Sequence, residues 1–397
     1  MDSKIAIMEV FEKALKLILS EASQPGYEKV SLEESINRIL ARDILADSDM
    51  PPFNRSAMDG YAIRKEDLQK PLRIIDEIAA GTVANKKINK KECAKIMTGA
   101  PIPEGADFVV MIEDTSLNEN SEVIISGLKG SSNIRYRGED LRKGDVILKR
   151  GTLVKKQHIG LMASVGEVNP QVYLKPKINI LSTGSELVEP DMVPLGAEIR
   201  NSNGVQILSQ LKSIGLEGNY LGIARDDPDY IREMIDQSLH SCNVLLITGG
   251  VSMGDYDFVP EVLTELGFEI TLHKIKVRPG KPLLFAKRKD QFVFGIPGNP
   301  VSAFVQMEVV IKPFLYKLMG SDNVTTVYKM VLGEDFKRKK SQLKLFVPVK
   351  IIEGEVFLVE YHGSGHLASY AEADGIMDVN EEIESIKKQE TVNVRPL

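Results

Sequence analysis

Cysteine is nearly absent: Cys93 and Cys242 are the only two in 397 residues, far apart and each beside an apolar run. That spacing supports neither a disulfide framework nor a zinc knuckle, and a reducing, cytoplasmic setting is the expectation. Excess positive charge is missing as well; a net charge of -6 argues against general nucleic-acid binding. Long apolar runs are lacking too. In MDSKIAIMEVFEKALKLIL, Glu9, Glu12, Lys13 and Lys16 interrupt any stretch that could serve as a signal peptide or membrane span. What remains is an amphipathic helix with Ile7, Phe11, Leu15 and Ile18 on one face, and no membrane partner is expected.

The composition, 43% hydrophobic and 27% charged, is that of a globular chain, and its length exceeds what one core serves. Ser31 with Glu34 forms a capping-box signal and predicts a helix over 32–41. A proline-containing loop, DMPPFNRSAMDGYAI, follows. From 72 to 155, short β-type runs (LRIIDEI, AKIM, DFVVMI, EVIIS, DVILK) alternate with turns and predict a β-rich domain. From 176 the rhythm changes. KINILST, a helix near 204–214, EGNYLGI, a helix near 228–240, VLLIT, a helix near 258–266, FVFGI and a long helix over 301–319 predict a three-layer α/β domain with a mainly parallel sheet. VYKMVLG, LKLFVPVKI, EVFLVEYH and TVNVRPL then predict a C-terminal β-rich domain of barrel-like type. The expected division is 1–45 with 146–175 as a helical and linking domain, 46–145 as an inserted β-rich domain, 176–320 as α/β and 321–397 as β.

Chemistry concentrates at the ends of the α/β strands, where ligands of such sheets sit. Thr183 and Gly184 come directly off one apolar run and Thr248, Gly249 and Gly250 off another, offering two sets of outward amides suited to phosphate or another oxyanion. Either turn alone reads better as a tight reversal, but the two together with the neighbouring charges favour the anion site. Glu186, Asp226, Asp227, Asp255 and Asp257 fall just beyond strand ends, where hard oxygen ligands suit Mg²⁺ bound by one or two carboxylates plus phosphate and water. Asp227, in Asp-Asp-Pro, reads instead as a helix cap. In HKIKVRPGKP, period-2 alternation places Lys274, Lys276 and Arg278 on one face of a strand, with Lys281 in the turn beyond; the alternative is a solvated strand face. Pro297-Gly298-Asn299-Pro300 precedes Val301-Ser302 at a helix start, a further anion site or simply a helix entry. Asp59 and Arg55 in PPFNRSAMDGYAI and Arg135, Arg137, Glu139 and Asp140 in YRGEDLRKGD read as turns from physics alone. His362 and His366 are four apart among glycines that argue against an aligning helix, and read as non-ligands.

Together, PPFNRSAMDGYA, MTGAPIPEGAD, RGEDLRKGD, LSTGSEL, TGGVSMGDYDF, RPGKP and GIPGNPVSAF, in one collinear order, closely resemble the MoeA family, also seen as the E domain of gephyrin. The resemblance implies an enzyme of the last step of molybdenum cofactor synthesis, in which adenylylated molybdopterin and molybdate react with release of AMP; tungstate is the alternative oxyanion. It implies Mg²⁺, a homodimer with a site shared between subunits, and transient contact with the adenylyltransferase and with acceptor molybdoenzymes. Asp59, Asp140, Asp226 and Asp257 match catalytic positions, and Glu186, Asp226 and Asp257 match metal positions. Substrate-binding positions are matched by Thr98, Thr183, Gly184, Glu186, Gly249, Gly250, Ser252, Lys274, Arg278, Lys281, Pro297, Asn299, Ser302 and Ser369. Two departures stand out. Arg278-Pro279-Gly280 replaces the usual Lys-Pro-Gly, a planar fork for a point donor. Phe346-Val347-Pro348 stands where many relatives have Phe-x-Arg, so that contact is absent or falls to Lys344. An adenylyltransferase of the same α/β fold would lack the N-terminal extension and C-terminal β domain. A scaffold or pterin-binding module, the other alternative, is disfavoured by the retained acidic and basic residues.

Overall fold

The computed structural model describes residues 9–23, 26–127, 132–251, 257–322, 326–339, 342–361, 363 and 365–397. The chain divides into two compact units, one of 1–41, 151–155 and 169–397 and one of 42–150 and 156–168. Segments 176–320 and 321–397 thus share one unit, and the helix Lys156–Ser164 joins the β-rich one.

In the first unit, six strands form a mixed sheet. Numbering its elements in chain order, these are β1 Ile178–Thr183, α1 Ser202–Ser213, β2 Gly218–Ala224, α2 Pro228–Leu239, β3 Val244–Thr248, α3 Val259–Glu265, β4 Glu269–Lys274, β5 Pro282–Arg288, β6 Gln291–Ile296 and α4 Pro300–Gln306. The sheet order is β2-β1-β3-β6-β5-β4. β2, β1, β3 and β6 run parallel, while β5 is antiparallel to both β6 and β4. The apolar runs are continuous because both faces are covered. Ile178, Ile180, Val244 and Leu246 pack into the cluster that holds α1 and the long helix, whereas Leu181, Leu245 and Ile247 pack toward α2 and α3. The first cluster holds a knot of Phe285, Phe292, Phe294 and Phe314, with ring centroids 4.9–6.2 Å apart. The long helix continues from α4 through a π-helical turn, Met307–Ile311, to Lys312–Leu318.

The C-terminal strands close on themselves. Lys344–Ile352, Glu355–Leu358, Tyr328–Leu332, Thr391–Pro396 and Gly375–Val379 pair in that order, and Gly375–Val379 pairs back onto Lys344–Ile352, which gives the barrel-like closure. The N-terminal helix, Phe11–Ser20, buries Phe11, Ala14 and Ile18, with Leu15 half-buried, and Ile7 lies outside the described residues.

Two expectations fail here. The capping box forms, with the Ser31 amide donating to Glu34 at 3.1 Å and the Glu34 amide to Ser31 Oγ at 3.3 Å. The helix predicted over 32–41 nevertheless stops after a single 3₁₀ turn, Glu33–Ser35. Asn37 turns left-handed at φ 62°, and Ile39 and Leu40 bridge to Leu153 and Val172. Tertiary pairing overrides the local signal. The cation row is not one strand face either: β4 ends at Lys274, and Val277–Arg278 leaves the sheet to pair in parallel with Lys344–Leu345 of the barrel.

The second unit is built on a four-stranded sheet in the order Arg73–Ile78, Glu92–Ile96, Gly60–Ile63, Phe108–Met111. Gly60–Ile63 is wholly buried between its two neighbours. Gly60 has to be glycine, because a Cβ there would lie 1.9 Å from the Val110 carbonyl oxygen.

Candidate active site

The carboxyl ends of β2, β1, β3 and β6 lie side by side, and the turns that carry Gly184, Asp226, Gly249-Gly250 and Gly298 emerge there. The chain order reverses about β1, the switch point at which open sheets bind ligands. Thr183-Gly184 follows β1, Asp226 follows β2, Gly249-Gly250 follows β3 and Pro297-Gly298-Asn299 follows β6. The turns are packed onto each other. Gly249 and Gly250 have φ of 88° and 62°, and a Cβ on Gly249 would meet the Thr183 carbonyl oxygen at 2.3 Å. Only glycine permits both the conformation and the approach.

The β1 and β2 turns clasp reciprocally. Asp226 Oδ2 accepts from the Ser185 amide at 2.9 Å, and the Asp226 amide donates to Ser185 Oγ at 3.1 Å. The Glu186 carboxylate folds over Gly184, where a Cβ would sit 2.7 Å from its oxygen. Asp227 Oδ1 accepts from the Tyr230 amide at 2.8 Å, so it is the helix cap expected of it. Asp257 lies at the entry to α3, while Ser252 and Asp255 fall outside the described residues. Among the described residues no three His, Cys, Asp or Glu side chains converge on one metal position. The donors are nonetheless all hard oxygens in adjoining turns, which fits Mg²⁺ held by one or two carboxylates with the remaining positions left to phosphate oxygens and water.

Behind the turns lies a polar layer that the sequence did not announce. Asn201 caps α1, accepting from the Gly204 amide at 3.3 Å, and its Nδ2 donates to Ser182 Oγ at 2.9 Å and to Tyr220 Oη at 2.7 Å. Tyr220 in turn donates to Glu189 at 2.9 Å; burial and that carboxylate push its phenol up to about 12. Asn203 Nδ2 holds the Gly298 carbonyl at 2.8 Å. Buried His273 Nε2 sits 3.0 Å from the Val251 carbonyl oxygen, fixing the start of the loop after β3. Apart from the Asn201 cap on the Gly204 amide, which is local and signalled by the Asn-Ser start of α1, these contacts join residues 19 to 95 positions apart.

The basic end is separate. Arg278 and Lys281 are exposed, and no carboxylate lies within ion-pair reach of either among the described residues. Lys274 is half-buried at the end of β4. Gly280, at φ 95°, packs so closely on Gln306 that a Cβ would lie 2.6 Å from its Nε2, which donates to the Gly280 carbonyl. Ser302 is buried in the first turn of α4, and Ser369 is buried with its hydroxyl donating to the His366 carbonyl at 2.6 Å. Lys344 is not available as a substitute for the missing arginine: its ammonium bonds Glu12 at 2.7 Å and Asn380 at 2.9 Å.

In the β-rich unit three distant motifs meet. Arg55–Ser56 pairs with Ile134–Arg135 on one side, and on the other the Ser56 amide donates to the Ala100 carbonyl at 2.9 Å. This brings Asp59 and Thr98 together: Asp59 Oδ1 accepts from the Thr98 amide at 2.6 Å and from its hydroxyl at 2.7 Å. Those two bonds hold the Asp59 carboxyl below its ordinary 3.8, so it remains a carboxylate across the neutral range. The depressed value means the bonds favour the folded state above 3.8 and are lost as pH falls through the folded value. An NMR titration of Thr98→Ala is expected to move Asp59 upward toward 3.8, and an unchanged midpoint would contradict the assignment. In and just before the RGEDLRKGD turn, Arg137 pairs with Asp49 at 2.6 Å and Arg135 with Glu139 at 3.0 Å, so these are structural. Asp140 is exposed, with no partner for its carboxylate among the described residues.

Comparison with known proteins matches this layout along its length. Residues 10–166 match the MoeA N-terminal region (domain I and II), 179–317 a probable molybdopterin binding domain and 329–397 the MoeA C-terminal region (domain IV). The molybdopterin molybdenumtransferases of Staphylococcus epidermidis and Staphylococcus aureus are 35% identical over 335 residues, covering 82% of this chain and 80% of theirs. The structure of the molybdopterin biosynthesis MoeA protein from Pyrococcus horikoshii OT3 superposes with a TM-score of 0.86 at 29% identity, covering 98% of this chain and 100% of that one. A second structure of a molybdopterin biosynthesis MoeA protein from Pyrococcus gives 0.80 at 31% identity, covering 98% and 99%. With all three regions present in order, the chain belongs to the MoeA family of molybdopterin molybdenumtransferases.

Proposed function

We propose that this chain transfers molybdenum from molybdate to adenylylated molybdopterin, releasing AMP and leaving the metal on the dithiolene. The observation that carries the reading is the row of four adjacent strand ends, which sets amide-rich turns and carboxylates beside one another, with Arg278 and Lys281 in the same unit exposed and without a carboxylate partner among the described residues. The Thr183-Gly184 and Gly249-Gly250 turns bind the pyrophosphate through backbone amides. Glu186, Asp226 and Asp257 hold Mg²⁺, which when bound offsets the charge that builds on the pyrophosphate as it is cleaved. Lys274, Arg278, Lys281, Asn299 and Ser302 receive molybdate and the pterin phosphate. Supported by the family resemblance, we assign Asp59, Thr98 and Asp140 to the same reaction, acting from the second copy of a homodimer.

Purified protein is expected to release AMP from adenylylated molybdopterin only when molybdate and Mg²⁺ are both present. Release without molybdate would point to simple hydrolysis. Light scattering at micromolar concentration is expected to give twice the 44.0 kDa chain mass, and a monomer would remove the shared-site assignment. Running molybdate and tungstate in parallel in the same assay decides which oxyanion is used.

A further inference from the structure

Three buried polar atoms have no hydrogen-bond partner among the described residues: Gln306 Oε1, on the side chain that holds Gly280, Tyr361 Oη, within reach of the Arg278 charge, and Tyr370 Oη, close enough to Tyr361 for the two phenols to interact. They come from different elements. Gln306, at the end of α4, is locked onto Gly280 through its amide nitrogen. Tyr370 lies on the 3₁₀ turn Leu367–Tyr370, its ring 5.0 Å from that of Phe304. Tyr361 follows Val359, whose amide donates to the Pro348 carbonyl at 3.2 Å. Burial pushes both phenols up, with the Arg278 charge acting on Tyr361 in the opposite sense, so both are neutral O–H donors. Ser369, beside them, spends its proton on the His366 carbonyl.

An unpartnered buried hydroxyl is costly, and such groups are rare enough in native structures to demand an explanation. The two hydroxyls, with Arg278 and Lys281 exposed and without a carboxylate partner among the described residues, call for a partner that the described residues do not supply, whereas the Gln306 oxygen is itself an acceptor and is not counted toward an anion. Donors and fixed positive charge suit a compact anion with several acceptor oxygens. We infer that Tyr361 and Tyr370 donate their hydroxyl protons to the tetrahedral oxyanion held at Arg278, and that this oxyanion is free molybdate rather than the phosphate of the pterin. The inference rests on the transferase reading above and names two further binding residues for it.

The test uses Tyr361→Phe and Tyr370→Phe in the full chain, with two readouts. In molybdate-dependent AMP release, loss of either hydroxyl is expected to raise the half-saturating molybdate concentration about ten-fold, the factor for one hydrogen bond to a charged group. Affinity for adenylylated molybdopterin, measured without molybdate, is expected to stay within about two-fold. In thermal unfolding without oxyanion, each variant is expected to match or exceed the parent, because an unsatisfied donor has been removed. The parent is expected to be stabilised by millimolar molybdate and both variants much less so. Unchanged molybdate dependence in both variants, the result for hydroxyls that meet only an ordered water, would overturn the inference. So would a loss confined to pterin affinity, which would assign the pair to the phosphate. If the parent released no AMP yet was stabilised by molybdate in a tyrosine-dependent way, the transferase reading would fall and the oxyanion site would stand.

Discussion

Asp226→Asn is expected to lower AMP release about 100-fold while leaving the fold intact. The substitution keeps an oxygen where Asp226 Oδ2 now accepts from the Ser185 amide at 2.9 Å, so the clasp between the turns after β1 and β2 survives. What disappears is the negative charge, and with it a hard ligand beside Glu186. Asp226→Ala removes both, and is expected to lose activity to the same degree and thermal stability as well. Asp227→Asn supplies the control one residue away. That side chain caps α2, and asparagine caps as well as aspartate, so activity is expected within about two-fold of the parent. Full activity in Asp226→Asn would show that the carboxylates at these strand ends are structural.

Gly249→Ala is the second large effect, and it acts on backbone rather than charge. At φ 88° an L residue is already disfavoured by about 1–2 kcal/mol. The added Cβ would also lie 2.3 Å from the Thr183 carbonyl oxygen and 2.9 Å from its Oγ1, neither of which is the free end of a flexible side chain. The turn after β1 or the turn after β3 has to move, for a total of about 3–5 kcal/mol. AMP release is expected to fall below detection, together with a lower unfolding temperature. Gly222→Ala separates the two causes, for Gly222 has φ 96° but nothing within 4 Å of a Cβ, so only the conformational part applies. Equal effects at the two glycines would mean that the close packing of the Thr183 and Gly249 turns is unimportant.

The parallel strands were legible in the sequence because burial on both faces writes them as mostly apolar runs, uninterrupted over 244–247 and broken in Ile178–Thr183 only by Asn179 before its polar end at Ser182-Thr183. Asp227 was legible for a different reason: a cap is a contact three residues long, and sequence shows it directly. The misread elements fail where a distant partner decides. Ile39 and Leu40 are drawn into bridges with residues more than a hundred positions away, so a sound capping box yields one turn instead of a helix. Arg278 is pulled onto the barrel strand Lys344–Ile352, and no periodicity within HKIKVRPGKP reports that. The same holds for the site. Its glycines and carboxylates stand at strand ends that a pattern can find, but Asn201, Tyr220 and Glu189, which support them, are joined only by the fold. Lys344 illustrates the converse, since a lysine that looked free in sequence is committed to Glu12 and Asn380.

The most direct test of the central claim is AMP release from adenylylated molybdopterin by the purified chain, with molybdate and Mg²⁺ supplied separately and together. AMP appearing only when both are present, and lost in Asp226→Asn, is the predicted result. AMP release that ignores molybdate, or that persists undiminished in Asp226→Asn, would contradict it.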